Sequence, residues 1–170
     1  MGHEEKGFVV LGFVKSNKTP DHATGRRIYI NRTTNTYSWS PCKECEIFVE
    51  VIYDYLHLYT ADRLNNVVIR DFAVIFPTQK RGFLISKDTK ISFVEAQGYR
   101  VFSLVREGSN VKRGQKIAYV ITRKHEVRTI KSPANGLIIY ISSPPNEIPE
   151  KYIFVITGEN NVSRIMEAVS

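Results

Sequence analysis

Short runs of β-branched and aromatic residues at period two, broken by Gly, Pro, Asn or Asp, dominate the chain and predict strands rather than helices. Residues 27–31 and 35–39 flank Arg32-Thr33-Thr34, the pattern of a hairpin around a short polar turn. Residues 47–56 read as one long strand with Ile47, Val49, Val51, Tyr53 and Tyr55 on a single face. So many β-branched and aromatic side chains in succession would lose χ1 freedom in a helix. Residues 67–69, 73–76 and 83–85 are three further short strands, the second ended by Pro77. The tail has a different period. Val162, Ile165, Met166 and Val169 share a helical face with Asn161 as cap, which predicts a short C-terminal helix.

From Ala96 onward the turns acquire a specific spacing. Gly108-Ser109-Asn110-Val111-Lys112-Arg113-Gly114-Gln115-Lys116-Ile117 alternates tight-turn glycines with apolar residues that point inward, Val111 and Ile117. Ile130-Lys131-Ser132-Pro133-Ala134-Asn135-Gly136-Leu137-Ile138 follows, with Pro133 presetting φ in a second turn. These two stretches resemble the G-D-x-V-x-x-G-D-x-L and I-x-A-P-x-x-G-x-V turns of biotinyl and lipoyl domains. The halves also resemble each other: Ala118-Tyr119-Val120-Ile121-Thr122 recurs as Ile153-Phe154-Val155-Ile156-Thr157, and Gly98 matches Gly136. In the second half Pro144, Pro145 and Pro149 replace the glycine turn, a departure from exact symmetry. The resemblance implies a barrel-sandwich hybrid. The expected architecture is all-β, with an N-terminal β-rich region over residues 1–90 and the hybrid, ending in the short helix, over residues 91–170. The chain as a whole is also similar to a conserved archaeal family of unknown function.

In biotinyl and lipoyl domains the modified lysine sits at a hairpin tip between the two halves, so the resemblance implies a cofactor-carrying role for Lys124. Counting from Gly114 reaches Lys124, whereas counting back from Pro133 reaches His125, so the hairpin holds one extra residue, a bulge or a longer turn. The flanks differ from both carrier motifs, because Arg123 stands where an acidic residue is expected.

Charge adds a second candidate. The chain of 170 residues has a formal net charge of +7, and between Lys112 and Lys131 seven cations stand against one acid, Glu126. Lys112, Arg113, Arg123, Lys124 and Arg128 are therefore the candidate anion-binding residues, with nucleic acid as one partner class. The alternative is a solvated face. Both cysteines lie in Pro41-Cys42-Lys43-Glu44-Cys45, and two thiolates at this spacing can grip zinc, form a redox pair or simply close a disulfide across a turn. Zinc would need further ligands from His3, His22, His57 or a second subunit, so no cofactor is the simpler expectation. His125 is expected to be exposed.

Nothing in the sequence assembles a nucleophile with a base, and Asp54, Asp62, Asp71 and Glu95 are not paired by spacing. No apolar run approaches the roughly 18 residues of a membrane span, and the polar start Met1-Gly2-His3-Glu4 has no signal-peptide pattern. The expectation is a cytoplasmic, non-catalytic binding or assembly module with a protein partner or self-association, and prosthetic-group carriage and nucleic-acid binding as alternatives.

Overall fold

The computed structural model describes residues 9–16 and 21–169. Met1 to Lys6 and His3 within it therefore lie outside the described residues. The chain folds as two compact units, one made of residues 1–89 and 160–170, the other of residues 90–159.

The first unit is a closed barrel. Its strands are β1 (Leu11–Lys15), β2 (Ala23–Asn31), β3 (Thr36–Ser38), β4 (Glu46–Val51), β7 (Phe72–Phe76), β8 (Arg81–Ile85) and β16 (Ser163–Glu167), in the order β1-β4-β2-β3-β16-β8-β7. A short helix α1 (Leu56–Thr60) and the small hairpin β5 (Ala61–Asp62) and β6 (Val67–Val68) lie between β4 and β7. Phe13, Ile28, Ile30, Tyr37, Phe48, Ala73, Ile75, Leu84 and Ile165 fill the interior. Burying each large apolar side chain contributes about 1.5–3 kcal/mol.

The expected hairpin is β2–β3. Asn31 Oδ1 accepts the Thr33 and Thr34 N–H groups at 2.9 and 3.3 Å, and Asn35 takes φ 54°, so the turn is built from its asparagines. The long strand expected over residues 47–56 is shorter. It ends at Val51, and Tyr53–Tyr55 turn as a 3-10 segment into α1. Tyr55 stacks on His22, with ring centroids 4.5 Å apart, a long-range contact that period two could not register.

The C-terminal helix is a correction. Residues 163–167 form β16, antiparallel to β8 and parallel to β3, and they belong to the barrel rather than to the second unit. Ile165 is buried, whereas Met166 and Val169 are exposed, so the helical spacing of these residues is incidental. An isolated helix this short is marginal in water. The unpaired edges of β3 and β8 offer ladder hydrogen bonds instead, and filling them removes both edges at once.

The second unit contains two sheets. One has three strands in the order β10 (Arg100–Ser103), β12 (Lys116–Ile121), β13 (Val127–Lys131). The other has four in the order β11 (Asn110–Val111), β14 (Gly136–Ser142), β15 (Glu150–Thr157), β9 (Ser92–Gly98). Ala96, Val101, Val111, Ile117, Ala118, Val120, Ile138, Ile141, Phe154 and Ile156 form their shared core. Gly108 and Gly114 adopt φ 91° and 85°, the conformation their turns require. Gly98 and Gly136 serve a different purpose. A Cβ on Gly98 would strike Val120 and the Ile121 carbonyl, and one on Gly136 would strike Ile156 and the Thr157 carbonyl. The two glycines thus sit against the ends of the repeated segments 118–122 and 153–157.

Candidate functional site

The basic residues are set by the two ends of β12. Before it, Lys112 to Gln115 form a turn in which Gln115 N–H donates to the Lys112 carbonyl at 2.9 Å. Gln115 Oε1 accepts the Lys112 N–H at 3.0 Å, and Asn135 Oδ1 accepts the Arg113 N–H at 2.8 Å. Lys112, Gln115 and Asn135 line an open groove of about 430 Å³ beside this turn. After β12, His125 N–H donates to the Thr122 carbonyl and Thr122 N–H to the Glu126 carbonyl, both at 2.9 Å, with His125 at φ 63°. His125 is the left-handed residue of this turn, and Lys124 is exposed at the hairpin apex.

A six-residue strand spans roughly 20 Å, so Lys112 and Arg113 stand far from Arg123 and Lys124 compared with a screening length of about 8 Å at physiological salt. Arg128 is opposite Val120 and therefore on the other side of β13 from Val127 and Thr129. The structure does not gather the five residues into one patch. None of the seven cations from Lys112 to Lys131 holds a carboxylate in a side-chain ion pair among the described residues.

A different arrangement emerges from strand register. Cross-strand partners share a face, so Arg100, Ile121 and Val127 form one outward row, and Phe102, Tyr119 and Thr129 the next. A bulge between Lys116 and Ala118 turns Ile117 and Ala118 both into the core and leaves Lys116 opposite Lys131. The outer face of the three-stranded sheet is consequently apolar and aromatic at its centre. Phe102 is 46% exposed and Val127 65%, and Tyr119 is half-buried. The Arg100 guanidinium lies 5.7 Å from the centroid of the Phe102 ring and also pairs with Glu150 at 3.3 Å. Phe102, Lys116, Tyr119, Val127 and Lys131 were not among the expected site residues. The alternation Arg100-Val101-Phe102 hints at two faces, but Tyr119-Val120-Ile121 is a continuous apolar run that cannot be divided without its register.

The remaining candidates occupy the barrel unit. Cys42 and Cys45 are joined in a disulfide across a turn, with Cα atoms 5.5 Å apart and Glu44 at φ 61°. In this oxidised form neither sulfur is a thiolate available to zinc. Among the described residues no group of three or more His, Cys, Asp or Glu converges to hold a metal. The His22 Nδ1 meets the Tyr59 hydroxyl. Asp71 pairs with Arg32, and Asp62 accepts the Leu64 and Asn65 N–H groups at 2.9 and 3.2 Å, hydrogen bonds to Asn65 and Leu64 that hold its carboxyl below the usual range. Glu95 pairs with Lys151 at 3.7 Å.

The barrel interior carries one deeply buried carboxylate that the sequence did not single out. Glu50, 3% exposed, accepts a bidentate pair from Arg26 at 2.9 and 2.8 Å and a hydroxyl from Thr24. Three residues of β2, Thr24-Gly25-Arg26, oppose the single Glu50 of β4, and this bulge is what brings both side chains onto Glu50. At the other extremes of the same strands, Glu46 receives Lys15 and Arg32, and Arg32 also reaches Asp71. Burial alone would raise the Glu46 carboxyl, but the hydrogen bonds and charges of Arg32 and Lys15 outweigh it and hold the group low.

No helix among the described residues is long and apolar enough to cross a membrane. Over 119 residues the chain is 28% identical to the uncharacterized protein MJ0859 of Methanocaldococcus jannaschii, covering 69% of this chain and 70% of that protein. Residues 12–159 match the family described as an uncharacterized protein conserved in archaea (DUF2118), a match that takes in the whole second unit and stops just before the strand that closes the barrel. With most of its length matched, the chain belongs to this archaeal family.

Proposed function

We propose that this protein is a non-catalytic binding module in which residues 90–159 form a biotinyl/lipoyl-like barrel-sandwich hybrid and present a docking face. The two sheets, the glycine turns at Gly108 and Gly114, and the matched close approaches at Gly98 and Gly136 support the hybrid assignment. The observation that carries the docking role is the outer face of the β10-β12-β13 sheet, where Phe102 and Val127 stay exposed although the same unit buries a full core. Exposed apolar side chains grouped on one sheet face mark interaction surfaces more often than isolated ones do.

The test is purification of tagged full-length protein from an archaeal host of the family, compared with a Phe102→Ser/Val127→Ser variant. A macromolecule retained by the wild type and lost by an equally stable variant is expected. Equal retention by both would refute the docking face.

The apex position of Lys124 favours a second reading, prosthetic-group carriage. Arg123 in place of an acid and the left-handed His125 depart from what a modifying ligase would read. The intact mass of protein from its own host is expected to equal that of the bare chain. A biotinyl or lipoyl addition on the Lys124 peptide would make this the leading reading.

A further inference from the structure

We infer that the outer face of the β10-β12-β13 sheet binds single-stranded nucleic acid, with Phe102 and Tyr119 as the stacking platform and Lys116 and Lys131 as the phosphate contact. This rests on the reading of that face as a docking surface and names its partner.

Lys116 and Lys131 are direct cross-strand partners, both exposed, and neither holds a carboxylate among the described residues. Like charges placed opposite one another destabilise a sheet. An anion lying between them would convert that repulsion into two charge-assisted contacts. Phe102 and Tyr119 are also direct partners, one strand step beyond, so their side chains project from the same face. Two residues along a strand cover about 7 Å, comparable with the reach from a phosphate to the base of its own nucleotide. Beyond the next row, which ends in Val127, stand Arg123 and Lys124 on the hairpin, both exposed and without a carboxylate partner among the described residues. A polyanion running along the strands therefore meets cations at both ends of the sheet and aromatic surface between them.

An acidic peptide would satisfy the lysines but supply nothing flat to the two rings. A duplex would satisfy the lysines but hide its base faces. A single strand offers phosphates and unstacked bases together, the combination that sequence-tolerant single-strand binders use. Bases and phosphates are common to RNA and DNA, so the recognition is of the single strand rather than of the sugar.

The experiment is fluorescence anisotropy of a labelled 20-nucleotide oligothymidylate titrated with the full-length chain over a series of KCl concentrations. A labelled 20-base-pair duplex serves as the comparison. Saturable binding of the single strand is expected, with the duplex at least about tenfold weaker. The Phe102→Ala/Tyr119→Ala variant should bind about tenfold more weakly or worse, since stacking is lost. Phe102→Tyr/Tyr119→Phe should retain binding, which separates stacking from simple unfolding. Lys116→Gln/Lys131→Gln should lower the slope of log affinity against log salt by about 1.4, at roughly 0.7 per phosphate contact. Equal affinity for the duplex, or indifference to loss of both rings, would overturn the inference and leave only non-specific attraction. Absence of oligonucleotide binding would also overturn it. If the Phe102→Ser/Val127→Ser variant still lost a co-purifying protein in that case, the docking face would stand with a different partner; if it did not, both readings would fall.

Discussion

The carboxylates of the barrel unit and the cations of residues 112–131 in the second unit stand in opposite surroundings. In the barrel, Glu50 is enclosed by Arg26 and Thr24, and Glu46 and Asp71 are tied to Lys15 and Arg32. In the other unit, the cations from Lys112 to Lys131 have no carboxylate partner among the described residues and stand near the partly exposed Phe102 and Tyr119. Pairing within the barrel unit fixes a structure and leaves little to offer a partner. Unpaired cations and exposed rings contribute little to folding, and their chemistry is available to something outside the chain. The difference is the reason the proposed recognition role is placed on residues 90–159 and not on the barrel.

The largest effect should come from breaking the barrel's buried pair. Arg26→Ala leaves the Glu50 carboxylate enclosed with only Thr24, and removing one partner of a buried pair is costly. Because Arg26 is itself largely exposed, a loss of about 2–3 kcal/mol is expected by urea denaturation. Adding Glu50→Gln should recover part of it. A change below about 0.5 kcal/mol would show that the barrel does not depend on this pairing.

A second test uses alkali. Burial, then the charge of Glu167, pushes the Tyr37 hydroxyl up to about 12, and this hydroxyl has no hydrogen-bond partner among the described residues. Between about pH 10 and 12 the unfolded chain gives up this proton while the folded one keeps it. Stability from this group is therefore complete below pH 10 and is lost as pH rises through that window, by about 2–3 kcal/mol in total. Tyr37→Phe should equal or slightly exceed wild-type stability at pH 7 and lose less between pH 10 and 12. Parallel pH profiles for the two proteins would contradict the account.

Glycines distinguish a close approach from a turn within the second unit. Gly136→Ala drives a methyl group against the Thr157 carbonyl and should cost about 1–3 kcal/mol. Gly114→Ala meets nothing within 4 Å and bears only the strain of φ 85°, about 1 kcal/mol. Thermal melts giving the reverse order would mean that β14 does not approach the Thr157 carbonyl of β15 at Gly136 as described.

The sequence carries the all-β character because alternation and turn residues are local. The turns at Gly108 and Gly114 were legible for the same reason. The fate of β16 was not legible. Ile165 is buried only because β8 and β3 leave edges that lie about 80 and 130 residues earlier in the chain, and no local pattern reports those partners. The proposed binding surface was legible as an excess of charge but not as a place. Arg128 and Lys131 are three residues apart on one strand, yet alternation and register put them on opposite faces. A bulge at Ile117 decides that Lys116 faces Lys131, and bulges leave little trace in a single sequence.

The smallest stability effects belong to the recognition side of the comparison. Phe102→Ala and Val127→Ser remove exposed side chains and should move stability by no more than about 0.5 kcal/mol in chemical denaturation. A loss above about 2 kcal/mol would mean that these side chains support the fold and are not held out for a partner.

The most direct test of the central claim is a map of amide shifts on adding the 20-nucleotide oligothymidylate to isotope-labelled full-length protein. The account predicts that perturbations concentrate on β10, β12 and β13, around Phe102, Lys116, Tyr119 and Lys131, with the barrel strands unmoved. Perturbations centred on the barrel, or on the groove beside Lys112 and Asn135 with the sheet face silent, would contradict it.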